Sequence, residues 1–240
     1  MLLAIDTATL QASVALLAID GTLLATRRAR VTTHSEQLLP LVRDVLADAG
    51  ATVQSLSAIA CGAGPGSFTG LRIGLATAKG LCLATGRPLL LVSSLAALAL
   101  RGPKGALVVG AIDAFKGEVY AGFYARGDGD ALVPEGDEAV LSPDALARRL
   151  ADAALHNEAH TRRPVHLVGD VLRAWPVLAV PGVDTSDAGP PEAVEVGRLA
   201  LSRFLRGETD DLSAAVPAYI RASEAEIRGP RLSPPKFPHT

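Results

Sequence analysis

The residues best suited to chemistry are a glycine-rich run, two aspartates that end apolar stretches, and a spaced pair of histidines. The run is Gly62-Ala-Gly-Pro-Gly-Ser-Phe-Thr-Gly70, and it follows the apolar stretch Leu56 to Cys61. Bare backbone with free amide N–H groups is how a loop cradles phosphate, so each phosphate pattern is tested against it. A P-loop needs Gly-x-x-x-x-Gly-Lys-Ser/Thr, and no lysine stands at that place. A dinucleotide fingerprint begun at Gly64 stops on Thr69, and Leu89-Leu90-Leu91-Val92 fills the region where an acidic ribose ligand belongs. A nucleophile elbow fails because Pro65 precedes Gly66-Ser67. Spacing alone leaves a tight strand-to-helix turn, with Ser67 or Thr69 capping the helix.

His156 and His160 stand four apart, a spacing that can put two zinc ligands on one helix face. They lie in a charged stretch before Arg162-Arg163-Pro164 with no third ligand nearby, so they read as surface histidines and no metal is expected. Cys61 and Cys82 both sit in apolar patterns and read as small core residues of a chain kept in a reducing compartment.

The elements that must hold these residues follow from periodicity. Leu2 to Ile5 is a short buried-strand pattern ending at Asp6. Ser13 to Ile19 and Thr22 to Arg28 are joined by Asp20-Gly21, a strong hairpin turn. Thr33-His34-Ser35-Glu36 fits a capping box, and Leu38, Leu41, Val42, Val45 and Leu46 then recur at helical spacing until Gly50. A helix follows the glycine run to about Ala84, then a strand over Pro88 to Val92 and a short helix through Leu100. Breakers and charge at Arg101-Gly-Pro-Lys-Gly105 mark the best boundary. Beyond it the pattern restarts. Ala106 to Ile112 ends at Asp113, Glu118 to Tyr124 is its hairpin partner, Ser142-Pro143-Asp144 opens a helix, Val165 to Val168 is a strand, and Glu192 to Leu205 a helix closed by Gly207. Two halves that each open on a strand ending in Asp predict an α/β chain of duplicated βββαβα lobes. They are expected over residues 1–103 and 104–216, with a C-terminal segment over 217–240 that frays from 229.

Composition bounds the function. The chain has 240 residues, 49% hydrophobic and 20% charged, enough for two cored lobes. Its 23 basic against 25 acidic residues give a net charge of −2, a poor balance for gripping nucleic acid unaided. Asp6 interrupts the first apolar run before a signal-peptide core forms, and Pro88 to Leu100 is too short to span a bilayer, so a soluble, cytoplasmic protein is expected.

One longer pattern is far more specific. Gly64-Pro-Gly-Ser-Phe-Thr-Gly-Leu-Arg-Ile-Gly74, then Ala78-Lys79-Gly80 and Val92-Ser-Ser-Leu95, closely resembles the signature of the TsaB (YeaZ) family. Ile5-Asp6-Thr7, Gly117-Glu118-Val119-Tyr120 and Pro217-Ala-Tyr-Ile-Arg221 support it, so the resemblance spans nearly the whole chain. It singles out Gly64, Pro65, Gly66, Ser67, Phe68, Thr69, Gly70 and Arg72 as the signature loop. It implies a two-lobed actin/Hsp70-like (ASKHA) fold and a part in making threonylcarbamoyladenosine beside the anticodon of tRNA. The implied partners are a TsaD-family subunit that carries out the transfer and a TsaE-family ATPase that joins them. The tRNA is then expected to be contacted only indirectly. The resemblance implies no cofactor for this chain alone and leaves ATP and Mg possible only in that complex.

The residues give a reason for a non-catalytic role. Actin-like ATPases place Asp-x-Gly turns at the start of both lobes so that backbone can approach phosphate. Here Asp6-Thr7-Ala8 carries alanine at the glycine position, and Asp113-Ala114-Phe115-Lys116 carries bulky side chains. Asp6, Thr7 and Asp113 are thus expected as vestiges of a nucleotide site, with no intrinsic cofactor and no catalytic residue. The rival reading is an ASKHA ATPase or phosphotransferase acting alone; a third is a metalloprotease. The helix after the glycine run carries two faces suited to burial, Leu71, Leu75, Ala78 and Cys82 on one and Ile73, Ala76, Thr77, Gly80 and Ala84 on the other. One face needs the chain's own core and the other something else. Together with Leu38, Leu41 and Val45, the second face is expected to dock the TsaD-family subunit, or a second copy of the chain when that partner is absent.

Overall fold

A computed structural model describes residues 1–30, 34–156 and 163–220, the side chains of 34–36 excepted. The expected capping residue Thr33, His160, Arg221 and the tail from 229 lie outside the described residues.

Strands β1 (Leu2–Asp6), β2 (Gln11–Leu17) and β3 (Leu23–Arg30) form an antiparallel meander. Helix α1 (His34–Asp48) leads to β4 (Ala58–Gly64), which lies parallel to β1. Helix α2 (Phe68–Thr85) leads to β5 (Leu89–Ser93), parallel to β4, and helix α3 (Ser94–Ala99) follows at once. The order of this first sheet is β3-β2-β1-β4-β5.

The second sheet repeats that plan. Strands β6 (Leu107–Phe115) and β7 (Glu118–Arg126) form a hairpin, and the third strand is split into β8 (Leu132–Pro134) and β9 (Ala139–Leu141), both paired to β7. Helix α4 (Pro143–His156) starts with Ser142 accepting the Ala145 N–H, and β10 (Val165–Val168) lies parallel to β6. Short α5 (Val171–Ala174) and β11 (Val183–Ser186) complete the order β11-β10-β6-β7-β8. Read from the third strand, the two sheets share one topology, each with one more parallel strand than the expected βββαβα.

Alternation along β1 explains the layering. Leu3 and Ile5 join Leu38, Val42, Val45, Leu75 and Cys82 beneath α1 and α2, while Leu2 and Ala4 face the opposite way. The opposite face is covered by α6 (Ala193–Leu205), through Ala193, Val196, Ala200 and Leu201. This corrects the expected grouping: residues 193–205 follow the second sheet in the chain yet pack on the first, so the second lobe ends before α6. Helical periodicity says that a stripe must be buried and not which sheet buries it. Helix α3 stands between the sheets, giving Leu95, Leu98 and Ala99 to the second sheet and Ala97 to the first.

Arg101 fixes this junction. Its guanidinium donates to the Ala188 and Pro190 carbonyls and pairs with Glu195 of α6 at 2.9 Å. Where α6 crosses the sheet, a Cβ on Gly197 would lie 2.4 Å from Leu17 Cδ1 and 3.2 Å from Ala4 Cβ. Gly197→Val is therefore expected to lower stability by about 1–3 kcal/mol, the usual cost of overpacking, in urea denaturation followed by circular dichroism. An unchanged midpoint would mean that α6 is not seated on β1 and β2.

Candidate functional site

The glycine run and the first aspartate meet in one place. Asp6, Thr7 and Ala8 form the turn after β1, and all three are buried, Asp6 and Thr7 completely. The Thr7 hydroxyl donates to the Gly70 carbonyl at 2.9 Å, and the Ser67 N–H donates to the Ala8 carbonyl at 2.7 Å. Ser67 Oγ accepts the Gly70 N–H, so serine, not Thr69, caps α2, and the helix stops at Gly86 with φ 68°.

Glycine is demanded here by contact. A Cβ on Gly70 would sit 2.2 Å from the Thr7 carbonyl oxygen, and one on Gly74 2.2 Å from Thr7 Oγ1. Gly62 and Gly66 make the same close approach to the Asp6 carboxylate and the Ala8 carbonyl, at 2.0 and 2.2 Å. These glycines recur every fourth position, and together they form a cradle. The cradle is filled by the chain's own turn, in the place where a phosphate-binding protein would leave bare backbone for its ligand.

Asp6 is correspondingly occupied. Its Oδ1 accepts the Ala8 N–H at 3.0 Å and its Oδ2 accepts the Ser94 hydroxyl at 2.9 Å. Burial pushes its carboxyl up to about 6 from the ordinary 3.8, against the opposing pull of those hydrogen bonds and of the Arg101 charge. Asp113 sits apart from it. Its Oδ1 accepts the Phe115 N–H in a turn where Phe115 and Lys116 hold φ of 58° and 56°. The two turns face a cleft of about 450 Å³ lined by Ala8, Thr9, Gln11, Arg30, Asp113, Phe115, Asp170 and Arg173. Burial, then Asp187 and Asp113, raise the Asp170 carboxyl above its ordinary value. Asp6 and Thr7 are not among the cleft's lining, so the structure does not bring the expected vestigial pair together with Asp113.

The signature loop meets the C-terminal strap instead. Phe68 and Tyr219 rings lie 5.2 Å apart, Arg72 stacks 3.9 Å from the Phe68 centroid, and its Nε donates to the Tyr219 hydroxyl at 2.9 Å. The Ala218 N–H donates to the Ala63 carbonyl, and Lys79 Nζ to the Ala215 carbonyl. Residues 215–219 thus run along the Arg72–Lys79 line of α2 and bond to both side chains.

The expected docking residues divide. Leu38 and Val45 are 1% and 0% exposed and belong to the core under α1, and Leu41 and Ile73 pack against it half-buried. These are corrections: the wide apolar stripe of α1 serves its own sheet. Thr77 is half-buried, whereas Ala76, Gly80 and Ala84 are exposed. Leu83, at 75% exposure, and Leu39, at 56%, belong to the exposed apolar surface and were missed: Leu83 stands seven residues after Ala76 on the same helix face, and Leu39 lies at the edge of the α1 stripe beside Leu46. Among the described residues no group of three or more His, Cys, Asp and Glu could hold a metal, and no helix is long and apolar enough to cross a membrane. Cys61 and Cys82 are free, buried thiols.

Two lobes of matching topology, each opening on a strand with an aspartate at or near its end, have the architecture of the actin/Hsp70-like ASKHA class. The family model described as "TsaD: tRNA N6-adenosine threonylcarbamoyltransferase" matches residues 29–229. The tRNA threonylcarbamoyladenosine biosynthesis protein TsaB of Escherichia coli K12 is 37% identical over 230 residues, 93% of this chain and 96% of that protein. The Bacillus subtilis 168 protein of that name is 30% identical over 95% and 96%. A solved structure titled as similar to the peptidase YeaZ, from Pseudomonas aeruginosa, superposes with TM-score 0.78 at 37% identity, covering 92% of this chain and 99% of that one. The chain belongs to the TsaB family.

Because folded Asp6 holds its proton more tightly than the unfolded chain, ionising it costs stability. That cost is absent below about pH 4, grows as pH rises, and reaches roughly 3 kcal/mol above about pH 6. Asp6→Asn keeps the Ala8 and Ser94 contacts and should remove this fall between about pH 4 and 6 in urea titrations. A wild-type profile that rises with pH over the same window, with no difference in Asp6→Asn, would contradict a sealed, destabilised carboxylate.

Proposed function

We propose that this protein is a non-catalytic subunit in tRNA threonylcarbamoyladenosine biosynthesis that acts by docking a TsaD-family subunit through the outer face of α2. Family membership supports the pathway. The observation that carries the docking reading is the strip of Ala76, Gly80, Leu83 and Ala84, which no described residue covers and where a Cβ built on Gly80 meets nothing within 4 Å among the described residues. Small residues let another backbone come close, and Leu83 offers an apolar anchor. The same strip allows a homodimer when the partner is missing, with its two halves related by a two-fold axis. A TsaE-family ATPase joins through the assembled complex, tRNA contacts the chain only indirectly, and the setting is the cytoplasm.

Open space around Gly80 makes a clean test, because a Cβ there meets no described atom within 4 Å and the position is exposed. Gly80→Trp is expected to remain a folded monomer by circular dichroism, to fail to co-elute with the TsaD-family subunit in gel filtration, and to lower reconstituted tRNA modification by about tenfold or more, the cost of one central hot spot. Co-elution of the variant would displace the interface, and modification that runs equally well without the protein would end the support role.

The rival reading is an ATPase acting alone, and the cleft with Arg30, Asp113, Asp170 and Arg173 is the feature that favours it. Calorimetric titration of the isolated protein with Mg-ATP separates the two. The docking reading expects no saturation up to about 1 mM. Tight binding lost in Asp113→Asn would favour the enzyme.

A further inference from the structure

A second interlobe hollow, of about 580 Å³, shares no lining residue with the cleft. The end of β5 and the start of α3 form one wall, the β7–β9 region another, and α6 the third. Most of its surface is apolar, with Val92, Leu132 and Leu199 among the lining, and it contains four charged side chains, Asp130, Glu138, Arg203 and Arg206.

Their pairing is uneven. Arg203 is fully engaged: it donates to Glu208 through Nε, to the Leu91 carbonyl at 2.6 Å through Nη1, and to Asp210 through Nη2. Arg206 pairs with the same Glu208 at 2.6 Å, and Asp130 lies 3.9 Å from Arg126. Glu138 is the lining carboxylate with no basic partner among the described residues. It is held by two short hydrogen bonds, from the Ser93 and Tyr124 hydroxyls, and both donate to the same oxygen, Oε1. Its Oε2 has no donor among the described residues.

The holders are themselves fixed. Ser93 Oγ accepts the Leu95 and Ala96 N–H groups as the cap of α3, and Tyr124 is paired with Val108 in the β6–β7 ladder. Burial first, then the Glu138 charge and the bond donated to it, raise the Tyr124 phenol far above its ordinary value, so it remains a donor. Neutral hydroxyls orient a carboxylate without cancelling its charge, and a half-buried charge left in this state favours a cation. A preformed, mostly apolar hollow with one oriented charge is also the usual form of a small-molecule site.

We propose that this hollow binds a small organic ammonium ion, with its N–H groups on Glu138 and its apolar body against Val92, Leu132 and Leu199. Such a ligand touches the first lobe, the second lobe and α6 together, so occupancy ties the lobes to one another. The assignment is independent of the docking role of α2.

The test uses n-butylammonium chloride on the full chain, with n-butanol and sodium butyrate as controls of matching shape, by ligand-observed NMR and calorimetry. Saturable butylammonium binding with a Kd of about 1 mM is expected, with neither control saturating in the same range. Glu138→Gln keeps an acceptor for both hydroxyls and should weaken binding by at least about tenfold. Ser202→Trp, on α6 in the wall of the hollow, fills the space without touching Glu138 and should abolish binding. It decides the question if the Glu138 variant fails to fold. Butanol or butyrate binding as well as the amine, unchanged affinity in either folded variant, or no saturation up to about 50 mM would overturn the site.

Discussion

The close approach of the Asp6–Ala8 turn to the glycines at 62, 66, 70 and 74 governs the first lobe. A single Cβ at Gly70 or Gly74 would collide with Thr7 at 2.2 Å, so β1, β4 and α2 are joined almost backbone to backbone. The bonds from Thr7 to Gly70 and from Ser67 to Ala8 then satisfy polar groups that this approach removes from water. The glycine-rich loop and the aspartate turn are the same two parts with which a phosphate site is built. Here each is the other's ligand. The consequence is chemical as well as structural, because the carboxylate is fully buried and each of its oxygens already accepts a hydrogen bond from the chain itself.

The lobe junction follows from the same economy of space. Helix α3 leaves β5 at once, and a Cβ on Gly110 would lie 2.5 Å from the Leu95 carbonyl, so the second sheet comes right up to that helix. Helix α6 then returns across the first sheet, and Arg101 holds its beginning through Glu195 and the carbonyls of 188 and 190. This pairing is largely buried, so its value lies in fixing one geometry more than in adding net stability. The strap over residues 215–219 completes the enclosure by bonding to Arg72 and Lys79 on the charged line of α2 and leaving its small-residue face open.

Much of this was legible in the sequence where the signal is local. Asp20-Gly21 makes its turn with Gly21 at φ 88°, Ser67 and Ser142 cap their helices, and the restart after Gly105 is a real duplication. Strands β8, β9 and β11 are only three or four residues long, too short for alternation to register. The strap has no periodicity at all, since it is held by backbone carbonyls and one aromatic stack. The glycine run was conspicuous, but its purpose was hidden because the group it accommodates lies far away in the chain. Its four-residue repeat was the available clue: glycines at that spacing leading into a helix mark a line of close approach. Leu38 and Val45 went wrong for a related reason. An apolar stripe announces burial, and in a single sequence it cannot say whether sheet or partner does the burying.

What distinguishes the outer face of α2 is that the rest of that helix is already committed. Leu71, Leu75, Ala78 and Cys82 are in the core, and Arg72 and Lys79 are tied to the strap. Among the described residues nothing packs on the arc carrying Ala76, Gly80, Leu83 and Ala84, and it consists of residues that cost little to desolvate and lose little side-chain entropy, apart from Leu83. A surface helix that served only its own sheet would carry charge on this arc, as α4 does with Asp144, Arg148 and Asp152 among its fourteen residues. The arc thus carries the residue types that a contact with another backbone would use, on a helix whose start is held by the cradle around Asp6.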